Sequence, residues 1–284
     1  VTLGEKKVGV MTYDVLGPRA LDYLPCRYGT SKLLFRGPRR DLGAPYVAFL
    51  GGTQTFGKFI EQPYPLKVEH LTGVVSVNLG QVNAGVDVYA KDACVQQIAR
   101  NARVAVLEVP CAVNMSNTFY KVHPRRNDRF VRASPALRRL YPEVDFAQFN
   151  FTGHMVEHLH RKDAVRFAQL AKVLRSVWLR RVRRLTKQLS SPVILLRFRG
   201  QPSTENSGFA KGGGPALVTN AMIEAVRPAV QAVVDVPPLA RHGGTQAGDD
   251  VSGPLGQGAA NAVVGPDEHS AAAQALVTVL DQLM

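Results

Sequence analysis

The sequence predicts an α/β fold, a three-layer α/β/α arrangement around a mainly parallel five-stranded sheet with a helical insertion. Three observations carry this expectation. Short runs that are largely apolar, such as Tyr46–Leu50 and Val193–Phe198, read as strands buried on both faces. These runs alternate with segments of helical period, the pattern of a parallel sheet covered on both sides. The first strand stops at Gly51-Gly52 and is followed by a hydroxyl residue, Thr53, with another glycine at Gly57. Such a turn leaves small residues and free backbone N–H groups at the carboxyl edge of the sheet, where open α/β sheets bind ligands.

The elements follow in order. Residues 1–43 look irregular, with Cys26–Pro38 crossing over the fold. Tyr46–Leu50 is the first strand, and Phe56–Glu61 opens a helix that Pro63 and Pro65 end. Val74–Leu79 is the second strand, Asp92–Asn101 a helix and Val104–Val109 the third strand. Residues 112–190 then interrupt the rhythm, and a connection this long must hold its own helices. Within it, His154–Leu189 reads as one long helix. Phe167, Leu170, Leu174, Val177, Trp178, Val182 and Leu185 recur along one face, opposite a Lys/Arg face that includes Lys172, Arg180, Arg184 and Lys187. Val193–Phe198 is the fourth strand, Thr219–Gln231 a helix, Ala232–Val236 the fifth strand, and Ser270–Met284 a final helix capped by Ser270. Gln201–Gly214 and Leu239–Gly258, rich in glycine and polar residues, read as mobile. The expectation is one α/β domain over residues 1–284, with the basic insertion at 112–190 inside it.

Composition narrows the classes. A chain of 284 residues can bury a large core, and 45% hydrophobic with 20% charged residues is ordinary for a soluble globular protein. Val1–Met11 carries Glu5-Lys6-Lys7 and no apolar core, so it does not read as a secretory signal. No apolar run approaches the ~18 residues of a spanning helix. Three widely spaced cysteines, Cys26, Cys94 and Cys111, argue against a disulfide framework and suit a reducing, cytoplasmic setting. The net charge of +13 favours an anionic partner, or serves solubility alone.

Phe49-Leu-Gly-Gly-Thr-Gln-Thr-Phe-Gly57 resembles the first block of the SGNH/GDSL hydrolase-like superfamily, in which a strand ends in Gly-Asp-Ser and the serine is the nucleophile. Gly51 takes the place of the glycine, Gly52 of the aspartate and Thr53 of the serine. Val77–Gly85 is similar to the second block, whose oxyanion glycine maps onto Gly80. Val109–Asn117 is similar to the third, whose oxyanion asparagine maps onto Asn114. Gly265-Pro-Asp-Glu-His269 stands where the superfamily keeps its acid and histidine. The resemblance implies Thr53 as nucleophile, His269 as base, Asp267 or Glu268 as its orienter, and Gly80 and Asn114 as oxyanion donors. The departures are the threonine, which is more hindered than serine, and Pro266, which occupies the acid's usual position. Over most of its length the chain also resembles an uncharacterised bacterial family known only as a domain of unknown function. That likeness rests on Cys26-Arg-Tyr-Gly29, Phe35-Arg-Gly-Pro38, Leu50-Gly-Gly-Thr53, Asn78-Leu-Gly80, Ser116-Asn117 and Val122-His-Pro-Arg-Arg-Asn-Asp-Arg-Phe130.

Other motifs compete. Gly52-Thr-Gln-Thr-Phe-Gly-Lys58 satisfies the first seven positions of a phosphate-binding loop, with Gly52 and Lys58 as its anion contacts, but Phe59 follows where a Ser or Thr should ligate magnesium. Arg27–Leu33 vaguely resembles the phosphosulfate loop of sulfotransferases. His154-Met-Val-Glu-His158 fits an inverted zinc-protease pattern, or is a pair of packing histidines. In His123-Pro-Arg-Arg-Asn-Asp-Arg129, the guanidinium groups of Arg125, Arg126 and Arg129 can fork around a carboxylate, phosphate or sulfate. The loop could equally be internally paired through Asp128. The expected activity is ester hydrolysis or acyl/group transfer on an anionic substrate such as a cell-envelope saccharide, with no metal or organic cofactor. A sulfo- or phosphoryl transferase and a non-catalytic binder of acidic polymers are the rivals. Nucleic acid is disfavoured, because no aromatic residues interleave the basic helix face.

Overall fold

A computed structural model describes residues 21–199, 217–239 and 264–284. Residues 1–20, the segment Gln201–Gly214 and nearly all of Leu239–Gly258 lie outside the described residues.

Five strands form one parallel sheet: β1 (Tyr46–Leu50), β2 (Val75–Asn78), β3 (Val104–Glu108), β6 (Val193–Phe198) and β7 (Ala232–Val236). Their spatial order is β2-β1-β3-β6-β7, with every neighbouring pair parallel. Alternate residues of each central strand feed opposite faces, as the pleat requires. Val47, Phe49, Val104, Val106, Ile194 and Leu196 pack on one side with α2 (Tyr64–Thr72) and α9 (Pro266–Leu280). Ala48, Leu50, Ala105, Leu107 and Leu195 pack on the other with α3 (Val86–Ala90), α4 (Ala93–Asn101), α7 (Ala164–Leu189) and α8 (Asn220–Val226). This two-faced burial is why the strand sequences are apolar at nearly every position.

Local chemistry explains where the elements begin and end. After β1 comes a single helical turn, α1 (Thr53–Phe56). The helix expected over Phe56–Glu61 is absent, because Gly57 and Phe59 both take positive φ and turn the chain out of helix. Pro65 opens α2 rather than ending a helix: it sits in the first turn, where its missing N–H costs nothing. The long helix expected over His154–Leu189 is two helices, α6 (Thr152–Lys162) and α7. Asp163 adopts an extended conformation between them and accepts from the N–H groups of Val165 and Arg166 as the N-cap of α7. The final helix starts at Pro266, four residues earlier than expected, and Ser270 Oγ donates to the Pro266 carbonyl instead of capping.

The segment before α6 carries a two-stranded antiparallel hairpin, β4 (Tyr120–Val122) with β5 (Phe130–Ala133), and then α5 (Pro135–Leu140). Helix α7 is fixed to the sheet layer by its apolar face and by two polar ties. Trp178 is fully buried, and its Nε1 donates to the Pro110 carbonyl at 2.7 Å. Arg181 pairs with the buried Asp87 of α3.

Candidate functional site

In this strand order the chain reverses direction of winding between β1 and β3, and doubly wound sheets bind ligands in the crevice at that switch point. The carboxyl ends there are Gly51-Gly52-Thr53 and Glu108. Gly51 has no room for a side chain: a Cβ would stand 2.0 Å from Thr55 Oγ1 and 2.5 Å from Glu108 Cβ. Glu108 is buried, and its Oε2 accepts from the N–H groups of Gly52 and Thr55, both at 2.8 Å, and from the Thr55 hydroxyl. Burial pushes the Glu108 carboxyl up from its ordinary range, while the hydrogen bonds from Thr55 and Gly52 pull it back. The Thr55 hydroxyl also lies 2.7 Å from the Tyr64 hydroxyl.

This arrangement corrects the phosphate-loop reading of Gly52–Lys58. Two of the N–H groups that would cradle a phosphate point at a carboxylate instead. The N–H groups of Gly57 and Lys58 return to the Thr53 carbonyl, and the Lys58 ammonium lies over the Phe59 ring, 4.8 Å from its centroid. A phosphate here would face Glu108 without its donors.

Thr53, by contrast, is partly exposed at the crevice. Its hydroxyl donates to Asn83 Oδ1 and accepts from the Asn83 N–H, each at 3.0 Å. Asn83 sits in a turn with φ +56°, a conformation asparagine tolerates, and its Nδ2 donates to Asp128 Oδ2 at 3.3 Å. Three loops therefore meet at Thr53, those after β1, after β2 and between β4 and β5. Asn114 closes the frame: its Nδ2 donates to the Asn83 carbonyl at 3.1 Å, and its Oδ1 accepts from the Thr152 hydroxyl at 2.7 Å. Asn127, fully buried, accepts from the Gly85 N–H and donates to the His123 carbonyl. Asp128 is 9% exposed, and its Oδ1 is buried with no hydrogen-bond partner among the described residues.

The other expected site residues fall elsewhere. Gly80 is buried, its N–H donates to Asn78 Oδ1 at 2.9 Å, and a Cβ there would meet Phe56 N at 2.3 Å. Its role is close backbone packing, and its donor is not free for an oxyanion. Asn114 has both amide atoms engaged in the frame, so it orients Asn83 rather than pointing at substrate. His269 is the largest correction. The ring is fully buried, its Nδ1 accepts from the Tyr64 N–H at 3.0 Å, and it stacks on the Tyr64 ring at 5.8 Å. The neutral ring therefore carries its hydrogen on Nε2, which has no partner among the described residues. Burial, then the charges of Arg36 and Lys67, push its pKa down to about 3. No hydrogen bond joins His269 to Thr53, and a ring so enclosed cannot serve as its base. Asp267 is exposed on the first turn of α9, and Glu268 reaches back to the Gly265 N–H, so neither orients the imidazole.

Arg125, Arg126 and Arg129 are all exposed. Arg126 approaches Asp128 at 4.0 Å, and Arg129 lies over the Phe151 ring at 5.3 Å. The three side chains do not form one fork. His123 Nδ1 accepts from the N–H groups of Arg125 and Arg126, which shapes the turn. His154 and His158 each pack against Phe149 with ring centroids 5.2 Å apart, and among the described residues no group of three or more His, Cys, Asp or Glu could hold a metal.

Sequence reasoning missed Asn83, Glu108 and Thr152. Glu108 left a readable signal, a lone acid ending an otherwise apolar strand. Asn83 lay inside a quoted motif, but its link to Thr53 is a matter of loop geometry.

Fold and edge together define a doubly wound α/β protein with a polar cluster at its switch point. Residues 11–284 match the family described as "Domain of unknown function (DUF6473)", and the chain belongs to it. No curated protein matches the sequence. Among solved structures, the chain is similar to the lipase Lip_vut3 from a goat rumen metagenome, at 10% identity and a TM-score of 0.40, covering 83% of this chain and 97% of that one. That likeness is too loose to carry residue roles across. Among the described residues, no helix is long and apolar enough to cross a membrane.

Proposed function

We propose that the chain is an SGNH-like hydrolase or acyl/group transferase acting on an anionic ester at the switch-point crevice. Thr53 is the nucleophile and Asp128 the carboxylate that receives its proton. The observation that carries this reading is the chain Thr53–Asn83–Asp128, which presents the only hydroxyl of the β1 turn that faces outward and backs it with a carboxylate whose second oxygen lacks a partner among the described residues. An amide oxygen cannot take up a proton, so Asn83, exposed and on a turn, must yield its place when substrate arrives. The Thr53 oxygen then bonds to the ester carbonyl carbon while its proton passes to Asp128. Collapse of the adduct breaks the ester C–O bond, the departing alkoxide regains that proton, and water or a second hydroxyl takes the acyl group from Thr53.

The test is turnover of p-nitrophenyl esters of short neutral and dicarboxylic acids by the wild-type chain, Thr53→Ala, Thr53→Ser and Asp128→Asn. Thr53→Ala should abolish turnover, Thr53→Ser should keep it, and Asp128→Asn should lower kcat about 10²–10⁴-fold. Equal turnover by Thr53→Ala, or none by the folded wild type on any ester, removes the reading.

One observation favours a second reading, a binder of acidic polymers. On α7 the exposed Lys172, Arg180, Arg184 and Lys187 make no ion pair among the described residues, while Arg183 on the same face donates to the Ala225 carbonyl. Retention on a heparin column that is lost in Arg180→Gln/Arg184→Gln/Lys187→Gln, alongside absent esterase activity, would make this the better account.

A further inference from the structure

The substrate's negative charge needs a receptor, and the three arginines of the 123–129 loop do not converge on one. A cavity of about 310 Å³ does gather cations from three separate segments. Among the described residues it is lined by Lys32 from the crossover segment, Lys91 at the end of α3 and Arg125 from the loop, with Thr30 beside them. Leu33, Val88, Ala93 and Pro124 supply an apolar wall. We propose that this cavity is a subsite for a small organic phosphate or sulfate monoester, its anion held by Lys32, Lys91 and Arg125 and its carbon skeleton by the apolar wall.

The walls are built rather than incidental. The Ser31 hydroxyl donates to Asp92 Oδ2 at 2.7 Å, and Cys94 Sγ donates to the Tyr28 carbonyl at 3.2 Å, which pins the crossover segment to the start of α4. Asp92 is the one carboxylate of the lining. Its two oxygens are engaged, one by Ser31 and the other by the Val95 N–H at 3.0 Å, so it faces the ligand with its acceptors occupied. Lys91 stands 3.6 Å from Asp87, but that carboxylate is already paired with Arg181, which leaves the ammonium only loosely held. Lys32 and Arg125 make no ion pair among the described residues and are exposed. Three cations facing one engaged carboxylate select an anion, and planar Arg125 suits the oxygens of a phosphate or sulfate. The volume sits at the lower end of the roughly 300–1,000 Å³ of small-molecule sites, which suits a single sugar-sized unit rather than a nucleotide.

The inference rests on the proposed function only in treating the anionic group held here as one part of the carboxylic ester that Thr53 attacks; binding is measured without turnover. Isothermal titration with glucose 6-phosphate, glucose 6-sulfate and glucose, on the full chain and on Lys32→Gln, Arg125→Gln, Arg180→Gln/Arg184→Gln and Thr53→Ala, tests it. At least one ester should bind and glucose should not. Lys32→Gln and Arg125→Gln should each weaken binding about tenfold or more, with unchanged melting temperatures. The α7 double variant and Thr53→Ala should bind as wild type. Absence of binding by both esters, equal binding of glucose, or weakening by the α7 pair but not by Lys32→Gln or Arg125→Gln would overturn the subsite. If binding behaves as expected while no ester is turned over, the subsite stands and the catalytic reading falls.

Discussion

Acidification should destabilise this fold through one buried imidazole. His269 is fully enclosed, its Nδ1 accepts from Tyr64 N–H, and burial pushes its pKa down to about 3. In the unfolded chain the ring titrates at about 6.5. The folded pKa is the lower one, so the neutral ring is favoured by folding. The stability it contributes is complete above pH 6.5 and is lost progressively as the pH falls toward 3. Working the linkage between pH 7 and pH 5 gives a loss of about 2 kcal/mol from this group alone. His269→Asn keeps an acceptor near the Tyr64 N–H but cannot titrate. It should cost a pH-independent penalty of about 1–3 kcal/mol for the altered packing and hydrogen bond. The assay is urea denaturation of both proteins at pH 7 and pH 5, compared as a difference of differences so that shared carboxylates and histidines cancel. The variant should lose about 2 kcal/mol less than the wild type over that interval. Equal losses would show that protons reach His269 in the fold, and the argument that it is an enclosed, non-catalytic ring would fail.

Three further outcomes follow from the packing of the site. Gly80→Ala places a methyl 2.3 Å from the Phe56 nitrogen, where backbone must move, and should cost about 2–3 kcal/mol in chemical denaturation. Glu108→Leu strands the N–H groups of Gly52 and Thr55 at about 1–3 kcal/mol each, whereas Glu108→Gln keeps an acceptor and should cost clearly less by the same assay. Asp163→Ala removes the cap between α6 and α7 and should cost about 1–2 kcal/mol, read as a lowered midpoint with an unchanged urea slope.

Where burial dictates composition, the sequence is readable. Tyr46–Leu50 and Val193–Phe198 are strands at the residues expected, because central parallel strands tolerate few polar positions, and the edge strand Ala232–Val236 also falls at its expected residues. The glycine turn after β1 was also legible as the end of that strand. Other features were not, for identifiable reasons. Pro65 signals either a helix stop or a helix start, and only its place in the first turn of α2 decides. Asp163 interrupts the apolar period between Leu159 and Phe167, but a single polar residue within a long helical pattern does not by itself announce a cap. His269 near a helix start has the same one-dimensional appearance whether it meets a nucleophile or the Tyr64 N–H. The frame of Asn83, Asn114, Asn127, Asp128 and Thr152 draws on loops far apart in the chain, and no local spacing announces it.

The central claim, that the Thr53 hydroxyl is a nucleophile at the switch point of the sheet, is tested most directly by covalent trapping. Incubation with a fluorophosphonate followed by peptide mass spectrometry should place the phosphonyl adduct on Thr53, with no adduct in Thr53→Ala and slower labelling in Asp128→Asn. An adduct on another hydroxyl that persists in Thr53→Ala would contradict it.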